Sequence, residues 1–133
     1  MYIIICLDDN NGLAFNHRRQ SQDRIVAEDI RKTVGEKKLW ITDYSRKLFH
    51  SVSNLEISEN QKEKAKEGEY VFQELETLDT GDERIEQFII YRWNRVYPAD
   101  VSVEIGAEWK LTETEEFSGF SHEKITKEIY CRE

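Results

Sequence analysis

One proline, Pro98, and six glycines are spread over 133 residues. The chain has no repeat, no low-complexity linker and no composition break, so it reads as a single domain over residues 1–133. There are two cysteines, Cys6 and Cys131, in expected strands near opposite ends of the chain. Both are expected to pack as small hydrophobes in a reducing compartment, because a bridge would need those strands to be neighbours. No apolar run reaches membrane-spanning length: the longest, Tyr2-Ile3-Ile4-Ile5-Cys6, is far too short, and no basic stretch precedes it. A cytoplasmic location is therefore expected. Basic residues are in deficit, 19 against 27 acidic, for a net charge of -8. That balance argues against bulk nucleic-acid binding or binding to an anionic membrane.

What the chain does have is aromatic and charged. Three Trp, six Tyr and six Phe supply a core without metal or disulfide staples, and 35% charged residues cover the surface. The apolar run at residues 2–7 reads as a buried strand ended by Asp8-Asp9-Asn10-Asn11-Gly12. Ser21 is a candidate N-cap with Asp23 in the first helical turn; Ile25, Val26, Ile30 and Val34 mark one face, and Gly35 stops the helix. Leu39-Trp40-Ile41, Tyr70-Val71-Phe72 and Phe88–Trp93 read as further strands. Asp43 or Ser45 opens a short helix, the polar stretch 58–68 is a solvated turn or loop, and Asp79–Asp82 is turn chemistry. Pro98 closes the strand before it, and Trp109–Phe117 with Ile125–Tyr130 form a terminal antiparallel hairpin. The sum is an α/β domain with a mixed sheet and two or three flanking helices.

Function is sought first in the stretch from Leu7 to Arg24, read as one loop between a strand and a helix. His17, Arg18, Arg19, Gln20 and Arg24 there are candidate anion ligands, since guanidinium groups fork onto carboxylate or phosphate and a helix start adds donors. The plainer reading has these arginines paired with surface acids. His122 and Lys124, after a Gly-Phe-Ser turn, are expected to face the arginine loop and line a common pocket with it. Asp8 and Asp9 end the first strand, where α/β folds place ligands; either they feed an Asx turn or, with Asp23, they hold magnesium. Arg92, Asn94 and Arg95 surround Trp93 and Tyr97, as base-stacking residues or as core and rim. Ser21 and Ser121 lack the elbow motif of a serine nucleophile.

Two resemblances add to this reading. Ile4-Ile5-Cys6-Leu7-Asp8-Asp9-Asn10-Asn11-Gly12-Leu13 resembles the first strand and loop of the dihydrofolate reductases, and the Trp109 and Ile125 strands resemble that family's closing hairpin. The likeness implies a dihydrofolate reductase-like mixed sheet with a ligand cleft beside the first loop. The family's working segments are replaced. Arg18-Arg19-Gln20-Ser21-Gln22-Asp23 stands for its Leu-Pro-Trp proton-donor segment, Thr42-Asp43-Tyr44-Ser45 for its cofactor-phosphate Gly-Arg-Lys/His-Thr, and Phe72-Gln73-Glu74 for its Gly-Gly turn. An active dihydrofolate reductase is not expected, nor any cofactor. Second, Asn16–Arg24, Tyr91–Asp100 and Ser121–Glu128 resemble small Firmicute proteins that often carry the name ribonuclease Z. True ribonuclease Z needs a His-x-His-x-Asp-His metal motif, and His17, His50 and His122 each stand alone.

The expectation is a non-catalytic binding or regulatory domain for a small anion, such as a nucleotide or phosphometabolite, or for a protein partner. The alternative is a magnesium-dependent phosphodiester or nucleotide hydrolase built on Asp8, Asp9 and Asp23.

Overall fold

The computed structural model describes residues 1–133. It is an α/β fold on a seven-stranded mixed sheet. The strands are β1 (Tyr2–Leu7), β4 (Leu39–Ile41), β5 (Leu55–Ile57), β6 (Tyr70–Phe72), β7 (Gln87–Arg92), β9 (Trp109–Phe117) and β10 (Ile125–Arg132), in the order β5-β4-β6-β1-β7-β10-β9. From β5 to β7 neighbours are parallel; β10 is antiparallel to both β7 and β9. A smaller sheet, β3-β2-β8, joins β2 (Gly12–Phe15), β3 (Arg18–Arg19) and β8 (Val101–Ser102).

The continuous apolar run of β1 fits its central place, since a strand covered on both faces needs no polar alternation. Ile3, Ile5 and Leu7 join Val71, Phe88, Ile90 and Trp109 in one core cluster, while Ile4 joins Val26, Ile30, Phe72 and Trp93 in the other. The second cluster is closed by α1 (Arg24–Val34), which buries Val26, Ile30 and Val34. Each such side chain contributes roughly 1.5–3 kcal/mol of transfer free energy.

The N-cap of α1 is Asp23 rather than the expected Ser21: the Asp23 carboxylate accepts from the Ile25 amide at 2.9 Å, and Ser21 is thereby left free for another partner. Gly35 ends the helix at φ 59°, a conformation that costs glycine nothing. Only α1 is a long helix; Asp43–Leu48 is a 3-10 turn and α2 spans just Gln61–Lys64. β5, β2, β3 and β8 were not expected, and β7 already stops at Arg92, well before Pro98. Cys6 and Cys131 are free and half-buried; β1 and β10 both pair with β7, not with each other. No helix is long and apolar enough to cross a membrane.

Candidate functional site

The expected arginine loop is in fact a hairpin. Asn16 and His17, at φ 52° and 58°, form its two-residue turn, with Phe15 paired to Arg18 and Ala14 to Arg19. Two consecutive left-handed residues match the twist of the flanking strands. His17 and Arg18 are exposed at the tip. Arg19 points inward and is already taken. Its Nε and terminal nitrogen donate to the two Glu74 oxygens at 2.7 and 2.9 Å, and its guanidinium lies 4.3 Å from the centre of the Tyr44 ring. Glu74 also accepts from the Ser45 hydroxyl at 2.7 Å. Burial opposes the Arg19 charge, but the hydrogen bond and charge of Glu74 outweigh it and hold its pKa above the ordinary arginine value. Gln20 turns its amide to Asp8 at 3.0 Å.

Asp8 is fully enclosed and accepts four bonds, from the amides of Asn10, Gly12 and Tyr97 and from Gln20, at 2.8 to 3.1 Å. Burial pushes its pKa up, yet these donors prevail and hold it below the usual carboxylate value. Such an oxygen pair has no lone pairs to spare for a cation. Asp9 is exposed, and no three His, Cys, Asp or Glu side chains converge as a metal site. The magnesium set of Asp8, Asp9 and Asp23 is therefore not assembled, because the Asp8 carboxylate is spent on the loop that follows it.

The densest polar node lies at the start of α1, and it joins two segments about a hundred positions apart in sequence. Asp23 Oδ1 accepts from the Ile25 and Phe120 amides, each at 2.9 Å. Its Oδ2 accepts from the Ser121 amide and from His122 Nδ1, also at 2.9 Å. Burial again pushes upward, and these bonds overcome it and hold the Asp23 carboxyl well below the usual carboxylate range. The other face of the imidazole finds hydroxyls: His122 Nε2 lies 3.0 Å from Ser21 Oγ and 3.3 Å from Tyr97 Oη. The ring stacks on Trp93 at 4.7 Å between centroids. An ionised carboxylate only accepts, so Nδ1 carries a proton and, in the neutral ring, Nε2 is the acceptor facing Ser21.

Beside this node a cleft of about 520 Å³ opens between α1 and residues 47–52. Ala27, Leu48, Phe49 and Val52 give it an apolar floor; Arg24, Arg31, Lys47 and His50 stand around it, with Phe120 at one end. The Arg24 guanidinium carbon lies over the Phe120 ring, 4.0 Å from its centroid. Arg31 is paired with Glu28 on its own helix turn. Behind the floor is a cavity of about 20 Å³ lined by Ser21, Val26, Phe49, Phe72 and Trp93 among others.

Of the expected ligand residues, only Arg24 lines the cleft, with Asp23 and Ser121 as its link to His122. Arg19 and Gln20 are bound to Glu74 and Asp8, His17 and Arg18 stand away at the hairpin tip, and exposed Lys124 lies 3.6 Å from Glu116. Lys47 and His50 were missed, because nothing in a short helix signals that its end will border a cleft. Asp23 was read as a helix-dipole acid or as a magnesium ligand with Asp8 and Asp9; its tie to His122 depends on the β9–β10 hairpin turning back onto α1. Trp93 and Tyr97 pack and bond inside this node rather than offering stacking faces, while Arg92 pairs with Glu128 at 2.8 Å and Asn94 bonds the Lys124 carbonyl at 3.1 Å. In the replaced segments the Asp43 amide, at the start of the 3-10 turn, donates to the Glu59 carboxylate at 3.1 Å, and Gln73 is buried against Gln61.

No family model matches the chain, and no curated protein matches it; the resemblance to proteins named ribonuclease Z thus gains no support. Among solved structures, the dihydrofolate reductase from Enterococcus faecalis, in a complex with NADP(H) and RAB-propyl, is similar to it. The match covers 98% of this chain and 95% of that one, with a TM-score of 0.64 at 10% sequence identity. At that identity the similarity is one of fold, and the fold is dihydrofolate reductase-like.

Proposed function

We propose that the chain is a dihydrofolate reductase-like binding domain whose ligand is a small anion with an apolar body, held in the cleft between α1 and residues 47–52. The observation that carries this reading is a cationic rim on an apolar floor in an otherwise acidic protein. The cleft volume, about 520 Å³, lies within the range of ordinary ligand sites. Glu28 cancels Arg31, and the Asp23 oxygens are filled by amides and His122, which leaves Arg24 and Lys47 without a partner acid. On a chain of net charge -8 a local positive excess is not what composition alone would produce. Leu48, Phe49 and Phe120 provide flat apolar surface for a ring or short alkyl body, and the two cations fix its carboxylate or phosphate.

Isothermal titration with a panel of aromatic carboxylates, phosphate monoesters and nucleotides tests this. An anion that binds wild type and loses about tenfold in affinity on Arg24→Ala or Lys47→Ala supports it, as for one exposed charge contact. No binding across the panel directs the search to a protein partner.

A further inference from the structure

We propose that Ser21, His122 and Asp23 form a nucleophile, base and orienting acid that hydrolyse a small carboxylic ester where the small cavity lined by Ser21 adjoins the cleft. The two share Gln22, Asp23, Ala27, Leu48 and Phe49. The connectivity is complete. Ser21 Oγ lies 3.0 Å from His122 Nε2, and His122 Nδ1 lies 2.9 Å from Asp23 Oδ2. Both distances are within reach for proton transfer, and the third group fixes the tautomer of the second. Asp23 is immobilised by three backbone amides, and the imidazole is clamped against Trp93. Ser21 does not cap α1 and has no partner other than His122, which leaves its lone pairs free. The amide of Gln22, the residue after the serine, donates to no acceptor in the protein. In the α/β-hydrolases the amide after the nucleophile is a donor to the developing oxyanion.

In the step, Ser21 Oγ adds to the ester carbonyl carbon while its proton passes to His122 Nε2. The tetrahedral adduct collapses, the bond to the alcohol oxygen breaks, and that oxygen leaves with the proton from Nε2. Water, deprotonated by the same nitrogen, then releases the acid and restores the serine. The cavity of about 20 Å³ next to Ser21 holds about one water-sized group, so the acyl portion is acetyl-sized or smaller. That the alcohol portion is anionic rests on the cleft reading above; the Ser–His–Asp relay does not.

The full chain is incubated with 4-acetoxybenzoate, 4-butyryloxybenzoate and neutral phenyl acetate, and release of 4-hydroxybenzoate from the first two and of phenol from the third is followed together with peptide mass spectrometry after acid quench. Hydrolysis of 4-acetoxybenzoate, with acetyl found on Ser21, is expected to fall at least about 100-fold in Ser21→Ala and in His122→Asn. The butyryl ester is expected to be at least about tenfold slower, because its acyl chain overfills the cavity. Hydrolysis no faster than in buffer, or a rate that Ser21→Ala leaves unchanged, overturns the proposal. Ser21→Ala removes one hydroxyl and decides the question even where His122→Asn does not fold. If wild type binds 4-hydroxybenzoate but hydrolyses nothing, the relay fails and the cleft reading survives. If phenyl acetate is cleaved as fast as 4-acetoxybenzoate, with the same dependence on Ser21, the relay stands and the anionic cleft does not.

Discussion

Arg19 and Glu74 are joined by two parallel N–H···O bonds, of 2.7 and 2.9 Å, with the Glu74 side chain only 8% exposed. This pairing turns the most ligand-like residue of the sequence into a structural one. Removing the guanidinium strands a buried carboxylate that would keep only the Ser45 hydroxyl. Arg19→Ala is expected to lower unfolding free energy by about 2–3 kcal/mol, discounted from the fully buried case for the partial exposure of the arginine. Urea unfolding checks it. A change under about 0.5 kcal/mol would mean the pair is a surface contact.

The hairpin tip should behave in the opposite way. His17 sits at φ 58°, where a side chain is strained and glycine is not. His17→Gly is expected to raise stability by about 0.5–1 kcal/mol, and Arg18→Ala to leave it within about 0.5 kcal/mol. Neither is expected to alter anion affinity, because neither borders the cleft. Thermal melts and one titration test both points.

Much of the fold was legible in the sequence and much of the site was not, for one physical reason. β1, β7 and the face of α1 are specified by local runs and periodicity, so Ile3–Leu7, Phe88–Tyr91 and Val26, Ile30 and Val34 announced themselves. β3 and β8 have two residues each and lie in a small sheet, with no apolar pattern of their own. The partners of Arg19 and His122 are Glu74 and Asp23, and nothing local links them. Only the closing hairpin, by setting Gly119–His122 over the start of α1, makes Asp23 the acceptor of two amides from a segment almost a whole chain away. The charge pattern pointed to this helix start, where Arg24 alone of the expected ligand residues borders the cleft.

Gly119 shows how close that approach is. A Cβ there would fall 2.6 Å from Asp23 Oδ2 and 2.9 Å from the His122 carbonyl. Gly119→Ala is expected to cost about 1–3 kcal/mol, as overpacking does, and to displace His122 from Ser21. A shifted imidazole spectrum in NMR, with the fold retained, reports the displacement.

Acid should unfold the protein through its buried carboxylates. Asp8 and Asp23 both titrate lower in the folded chain than their ordinary value, despite burial, because amides and side chains donate to them. A depressed folded value means the unfolded state binds more protons, so stability is full above the unfolded value of about 4 and is lost as pH falls below it. The urea midpoint is expected to be flat from pH 7 to pH 5 and to drop steeply toward pH 3. Asp8→Asn should be less stable at pH 7 and show a shallower drop.

The account stands or falls on whether the cleft beside α1 takes an anion. Amide chemical-shift mapping of the full chain, titrated with 4-hydroxybenzoate and with aromatic phosphate monoesters, measures this directly. Saturable shifts clustered on residues 22–31, 47–52 and 120–121, lost in a combined Arg24→Ala and Lys47→Ala variant that still folds, are the predicted result. Shifts at the hairpin tip around His17 and Arg18, or none at any residue for every anion tried, would contradict it.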